Sequence, residues 1–464
     1  MENQPRETLG SRLGFILLSA GCAIGLGNVW RFPWLVGQNG GAVFVLIYLV
    51  FLLLLGIPVM TMEFAMGRAS RRSPLHMHRA LAPGRPGWAW HGPVCFAANY
   101  LLMMFYTTVC GWMVLYFAKF ATGQLSGLAP AEVGAAFGAM LGDPVLLCTA
   151  MALVVVAGFF ILSMGLRAGL ERVTKAMMLL LLAMMVVLAV NSCFLKGGAE
   201  GVAFYLKPDL GRFLHAEGGP GRVCVNAMNQ AFFTLSLGIG SMAIFGSYIG
   251  KERSLPGESL HVTLLDTFVA VVAGLIIFPA CFAYNGGETG AGPGLIFVTL
   301  PNVFNAMPGG RLWGTLFFAF MTFAAFSTVL AVCENILAMT MDRTGWPRQR
   351  ACAVCCGLMF VLSLPCALGF NLLSGFHPMG GGSNVLDLED FIVSNLLLPA
   401  GALLFSLFCC HRFGWGWENF VAEANTGRGP KIRPWMRFYC AWIVPAIVLA
   451  ILLLGLWDKF GPKG

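Results

Sequence analysis

The side chains of this sequence that could bind or transfer something lie inside apolar runs, where polar groups are costly and generally face an interior site. Asp266 sits in Leu264-Leu-Asp-Thr-Phe-Val-Ala-Val-Val272. Asn28 and Arg31 follow a stretch interrupted by Gly21, Gly25 and Gly27, and Gln230, Thr234 and Ser236 precede a second interruption at Gly238 and Gly240. A carboxylate at such depth is a functional candidate by default, against the alternative of a protonated, hydrogen-bonded acid in a helix contact. Paired hydroxyls in Phe326-Ser-Thr328 are ambiguous in the same way, because hydroxyls commonly satisfy helix carbonyls in membranes. Enzyme chemistry is not indicated: there is no HExxH, no nucleophile elbow, and no carboxylate pair beside a histidine. A dinucleotide-binding reading of the glycines fails too, since GxGxxG is absent and no strand precedes them.

The elements that must carry these residues are membrane spans. Of 464 residues 58% are hydrophobic and only 11% charged, whereas soluble domains carry about 25% charged residues. Runs such as 42–62 and 146–162 approach or reach the roughly 20 residues that cross hydrocarbon. The hydropathy pattern predicts eleven spans, at about 12–36, 41–67, 88–120, 145–164, 172–194, 224–249, 259–284, 311–341, 349–369, 384–410 and 435–457. The run from Leu13 leads into Arg31, Phe32 and Pro33 without a small-residue cleavage site, so it reads as the first span and not as a removed leader. A cytoplasmic amino end places 20 of the 29 Lys and Arg on the inner side, eight outside, and Arg31 within the membrane, the asymmetry expected of cytoplasmic loops. The carboxyl end then lies outside. The formal charge of +8 is spread over loops and does not mark a nucleic-acid surface. The 15 cysteines fall mostly in apolar runs without CxxC spacing and read as small hydrophobes.

The glycine interruptions fall in spans 1 and 6, five spans apart. Glycines can simply allow close helix packing. A helix can break in lipid only where freed backbone groups face protein or a cavity, and matched discontinuous helices mark the central site of inverted-repeat transporters. The polar residues flanking both breaks favour the second reading.

The stretches Gly21-Cys-Ala-Ile-Gly-Leu-Gly-Asn-Val-Trp-Arg-Phe-Pro33 and Phe232-Phe-Thr-Leu-Ser-Leu-Gly-Ile-Gly240 closely resemble the neurotransmitter:sodium symporter family, especially its bacterial amino acid transporters. The likeness extends along the chain through Gly-Ile-Pro58, Glu63-Phe-Ala-Met-Gly-Arg68, Gly-Leu-Glu-Arg172 and Gly294-Leu-Ile-Phe-Val-Thr-Leu-Pro301. It implies an all-α polytopic fold of two inverted five-helix repeats with broken helices 1 and 6, in the family's eleven-span bacterial branch. The expected organisation is an amino-terminal cytoplasmic latch (1–11), repeat 1 (12–194), an extracellular loop (195–223), repeat 2 (224–410, with a further extracellular loop at about 285–310), and a closing loop, eleventh span and short tail (411–464).

The resemblance further implies sodium-coupled import of a neutral, hydrophobic or aromatic L-amino acid across the inner membrane by alternating access. The substrate carboxylate would meet the amides of Leu26 and Gly27 at a half-helix end, the wall of Ala23, and the Tyr106 hydroxyl. Phe233, Ser236, Ile239, Leu102, Thr328 and Val332 would surround the side chain. One sodium ion would use Ala23, Asn28, Thr234 and Asp266 with the substrate carboxylate; a second would use carbonyls of Gly21, Ile24 and Ala324 and hydroxyls of Ser327 and Thr328. Asp266 would supply fixed negative charge where chloride-dependent relatives bind chloride, so transport would not need chloride. Arg31 and Asp390 would form the extracellular gate above a lid of Tyr106 and Phe233, with a static ion pair as the alternative. Arg6, Asp342, Ser247 and Tyr248 would form the cytoplasmic gate. Glu63 is read as holding unwound backbone amides, and Glu334 has no assigned role. Leu9 and Leu179 depart from the family, which often has tryptophan and proline at these places. The implied partners are the substrate and the lipid bilayer, with no nucleic acid and no obligatory protein. Competing readings are a non-transporting amino acid sensor on the same fold, or a sodium symporter for another small zwitterion or amine; the absence of an acidic residue at Ala23 argues against an amine.

Overall fold

The computed structural model describes residues 9–216, 218–287 and 292–460, and among them no strand is formed beyond one isolated bridge between Arg253 and Arg428. Among the described residues, nine helices are long and apolar enough to cross a membrane. These are α3 (Ala42–Ser70), α4 (Pro86–Ala121), α5 (Pro144–Ser163), α6 (Leu166–Cys193), α9 (Leu255–Tyr284), α10 (Gly310–Thr344), α11 (Arg348–Leu368), α12 (Val385–Cys410) and α13 (Met436–Trp457). A tenth apolar segment is the pair α1 (Arg12–Ala23) and α2 (Gly27–Gln38), bent by 51° at the break between them. At the place of the sixth expected span the chain forms α7 (Gly219–Thr234) and α8 (Ser241–Gly246), separated by a non-helical stretch.

Local chemistry explains the starts and stops. Ser11 caps α1 by accepting from the Gly14 amide at 3.0 Å, and Asp143 caps α5 by accepting from the Leu146 amide at 2.9 Å, satisfying donors that a first turn leaves open. Proline opens α5 at Pro144, where its missing N–H is not needed. The expected loop 195–223 contains two short helices, Gly198–Leu206 and Leu210–Leu214, and Leu295–Ala306 lies in the second expected outer loop. These are too short to cross hydrocarbon, so a span-length search passes over them. The sixth α-helix begins six residues earlier than the hydropathy run suggests, because Leu166–Glu171 forms a wide turn continuous with it.

The breaks lie at the centre. α4 packs along α10, and α1 packs on α10, α9 and α6, so the unwound part of the first segment is enclosed by helices on several sides. This is the condition under which a membrane helix can leave backbone groups unpaired with its own chain.

Candidate functional site

The first break is narrow. Ile24 takes an extended conformation (ψ 97°) while its amide still donates to the Ala20 carbonyl at 2.6 Å. The Leu26 amide donates to Tyr106 Oη at 2.7 Å. Helix then resumes as one wide turn, Gly27–Arg31.

The second break needs unusual backbone. Ser236, Gly238 and Gly240 have φ of 51°, 91° and 76°, a left-handed region open to glycine and costly for serine. Ser236 is held there partly by its hydroxyl, which donates to the Cys22 carbonyl at 3.1 Å and ties the two breaks together. The Gly238 amide donates to Glu63 Oε1 at 2.6 Å, the use expected of that carboxylate. A Cβ on Gly238 would lie 2.1 Å from the Leu398 carbonyl oxygen, so α12 can approach only a glycine.

A small buried cavity sits between the breaks, with about 10 Å³ open to the centre of a water molecule, room for about one water. Of the sequence candidates, Ala23, Gly27, Leu102, Tyr106, Phe233, Ser236 and Thr328 line it. Ile239 and Val332 are fully buried but stand outside this lining. Cys22 and Leu398 line it without having been singled out. Leu398 has one sequence signal, the following Pro399, which removes a backbone donor inside an apolar run.

Two oxygen-rich clusters flank the first break. In one, Asn28 Nδ2 donates to the Asp266 carboxylate at 2.9 Å and to its carbonyl at 3.0 Å, while Thr234 Oγ1 donates to the same carboxylate at 3.1 Å. Asn28 Oδ1 accepts from the Gly25 amide at 3.3 Å. Asp266 is fully buried and has no cationic side-chain partner among the described residues. A buried carboxylate met only by neutral donors suits a cation beside it. In the other, Ser327 Oγ lies 3.0 Å from the carbonyls of Gly21 and Ala324 and 3.4 Å from that of Ile24. Thr328 Oγ1 lies 3.2 Å from the Gly21 carbonyl and 3.4 Å from that of Ile24. Five neutral oxygens therefore converge, as a hard monovalent cation requires.

On the side above the cavity, Arg31 Nη1 meets Asp390 Oδ1 at 3.4 Å and donates to Ser394 Oγ at 2.6 Å, and Ser394 donates to the same Asp390 oxygen at 2.6 Å. The guanidinium also lies over the Phe233 ring at 4.6 Å, an added attraction of about 1 kcal/mol. Ser394, one helical turn from Asp390, was not singled out; its i, i+4 spacing was the available signal.

On the opposite side Arg6 lies outside the described residues. Asp342 accepts from the Ser73 amide at 2.8 Å, and the Ser247 carbonyl accepts from Arg71 at 3.0 Å. Tyr248 Oη donates to Glu334 at 2.9 Å, and Arg348 forms a two-pronged ion pair with the same buried carboxylate. Arg348 also donates to the Leu162 carbonyl at 2.6 Å. Glu334 thus joins the turn after α8, α10 and the start of α11. Removing one member of a buried pair strands the other, at about 3 kcal/mol or more. Glu334→Gln is therefore expected to lower the thermal unfolding midpoint in detergent, and Glu334→Gln with Arg348→Gln to recover part of the loss. Equal midpoints for wild type and Glu334→Gln would refute this.

Residues 6–129 and 138–462 match the profile of the sodium:neurotransmitter symporter family. The chain belongs to that family. A sodium-dependent transporter of Bacillus subtilis, YhdH, is 36% identical to it over 98% of each chain. A sodium-dependent transporter of Methanocaldococcus jannaschii is 30% identical, over 98% of this chain and 91% of the relative. The crystal structure of MhsT in complex with L-phenylalanine superposes with a TM-score of 0.86 at 37% identity, covering 97% of this chain and all of the other. The symporter is accordingly a sodium-dependent, multi-pass membrane transporter and not an enzyme, with the inverted-repeat fold that its resemblance to the family implied.

Proposed function

We propose that the protein imports a hydrophobic L-amino acid, phenylalanine among its substrates, together with sodium and without chloride, by alternating access around the two breaks. The observation that carries this is shared residues: Ala23 and Gly27 belong at once to the cavity wall and to the edges of the first break, and Thr328 to the cavity wall and to the second oxygen cluster. Ion and substrate occupancy are thereby linked, since whatever fixes the first break for one ligand fixes it for the other.

The first sodium ion is held by Ala23, Asn28, Thr234 and Asp266, and the second by Gly21, Ile24, Ala324, Ser327 and Thr328. At the second site the hydroxyls now donate to carbonyls; with an ion present they turn their lone pairs inward and the carbonyls become ligands. The substrate carboxylate lies against Leu26, Gly27 and the Tyr106 hydroxyl, which already accepts from the Leu26 amide and retains its own proton to donate. Leu102, Phe233, Cys22 and Leu398 offer apolar surface, which leaves a charged substrate side chain without a partner. Ile239 and Val332 form the layer behind and set how far the pocket can widen. The phenylalanine bound by MhsT supports this substrate class. Asp266 supplies the negative charge that makes chloride unnecessary. Arg31 and Asp390 close the outer path over Phe233 and Tyr106, and Arg6, Ser247, Tyr248 and Asp342 close the inner one. The amino end is cytoplasmic and the carboxyl end external. Residues 1–11 act as a latch, and 12–194 and 224–410 are the two repeats.

The test is uptake of labelled phenylalanine, leucine and tryptophan into proteoliposomes with an inward sodium gradient and a potassium control. Sodium-driven accumulation that persists in gluconate medium is expected. Loss of uptake without chloride refutes the role of Asp266 as the anion. Sodium-dependent binding without accumulation replaces transport by sensing.

A further inference from the structure

A second depression, of about 380 Å³, opens away from the transport path and is lined by Arg85, Gly87, Trp88, Trp90, Leu404 and Phe413. It is framed by the short turn Pro86–Trp90 that starts α4, by the last turns of α12, and by the loop that leaves α12. Its wall is rigid. Trp88 Nε1 donates to the Phe413 carbonyl at 2.8 Å, the two rings stack within 4° of parallel, and Trp88 meets Phe408 edge-on at 5.2 Å. His78 lies behind this wall against Phe408. Burial, with His91 beside it, holds its pKa well below the ordinary histidine value, so it adds no charge. Trp90 and Phe413 remain about half exposed, at 53% and 45%. Arg85 is the one charged residue of the lining, and no carboxylate pairs with it among the described residues.

The position of the groove decides its occupant. α4 begins and α12 ends there, so it lies where two spans leave the hydrocarbon, on the face of the loop carrying Arg71, Arg72, Arg79 and Arg85. Tryptophan is favoured at that depth because its ring suits the acyl boundary and its N–H the wet side, and basic residues there attract anionic headgroups. Apolar walls with a single cation at the rim complement a ligand with an apolar tail and one negative group, and the volume falls in the range of ordinary ligand pockets.

We propose that this groove binds an anionic glycerophospholipid from the surrounding bilayer, its phosphate on Arg85 and an acyl chain along Leu404, Trp90 and Phe413. The lipid bridges the start of α4 to the end of α12. This inference does not depend on which solute is transported.

The test is native mass spectrometry of the full-length protein, titrated with dioleoylphosphatidylglycerol or dioleoylphosphatidylcholine. The expected result is one phosphatidylglycerol retained at concentrations where phosphatidylcholine is not, with apparent affinity at least about fivefold weaker in Arg85→Gln and in Trp90→Ala, and recovered in Arg85→Lys. Equal retention of the two lipids, unchanged phosphatidylglycerol binding in Arg85→Gln, or displacement of the lipid by millimolar inorganic phosphate overturns the proposal. Thermal unfolding of each variant without lipid, if at the wild-type midpoint, confirms that lost binding is not lost folding.

Discussion

Asp266→Ala is expected to lower sodium-driven uptake at least about a hundredfold, with the protein still extracted as a monodisperse species. The substitution removes the acceptor for Asn28 Nδ2 and Thr234 Oγ1, at 2.9 and 3.1 Å, in a site with no exposure. Stranding buried donors costs about 1–3 kcal/mol, and the negative charge proposed to balance a sodium ion is lost as well. A combined penalty near 3 kcal/mol corresponds to about two factors of ten. Asp266→Asn separates the two contributions, since it keeps an oxygen and the side-chain volume while deleting the charge. Tyr48 approaches Asp266, yet its hydroxyl makes no well-formed hydrogen bond there, so a donor is at hand for an anion once the carboxylate is gone. Uptake by Asp266→Asn is therefore expected to become stimulated by chloride, and wild-type uptake to be indifferent to it. Uptake by Asp266→Ala within threefold of wild type sinks the assignment of this residue.

Gly25→Ala is expected to abolish uptake by a different route. A Cβ at this position would lie 2.0 Å from Tyr106 Oη and 2.4 Å from Thr328 Oγ1, separations no pair of atoms sustains. Both neighbours are buried, Tyr106 bonded to the Leu26 amide and Thr328 set against the Gly21 and Ile24 carbonyls. They cannot yield without breaking the cavity wall and the second oxygen cluster together. Overpacking of this kind costs about 1–3 kcal/mol, which a large membrane bundle can absorb while its site is lost. The backbone at Gly25 is not in the left-handed region, so alanine is not excluded by φ. Gly238→Ala should behave otherwise, because its φ of 91° and a backbone oxygen 2.1 Å away strike the fold itself. Gly84→Ala, with nothing within 4 Å, is the silent control. Size-exclusion profiles and uptake measured on all three separate site damage from misfolding; uptake retained by Gly25→Ala would show that Tyr106 and Thr328 are not fixed as described.

Much of this arrangement is written in one dimension. Hydropathy places the crossing helices because a span must be apolar over a fixed length, and the expected run 311–341 differs from Gly310–Thr344 only at its ends. The breaks are legible because glycine and polar residues interrupt otherwise unbroken apolar runs, and Asp266 is legible because a carboxylate at that depth is rare. Family motifs then name the oxygens around both clusters.

Tertiary structure decided the rest, and the reason is loss of period. Along a regular helix side-chain direction follows from spacing. In the stretch 235–240 it follows from the individual φ values of Ser236, Gly238 and Gly240, which turn the Ile239 carbonyl to Asn99 and leave the Ile239 side chain outside the cavity lining. Leu398 enters the lining because its carbonyl can approach Gly238 in the break between α7 and α8, a contact without local signature. Glu334 announced itself as a buried charge, but its partner Arg348 stands 14 residues on, beyond a helix end. No i, i+4 rule reaches that far, and only the packing of α10 against α11 brings the two charges together.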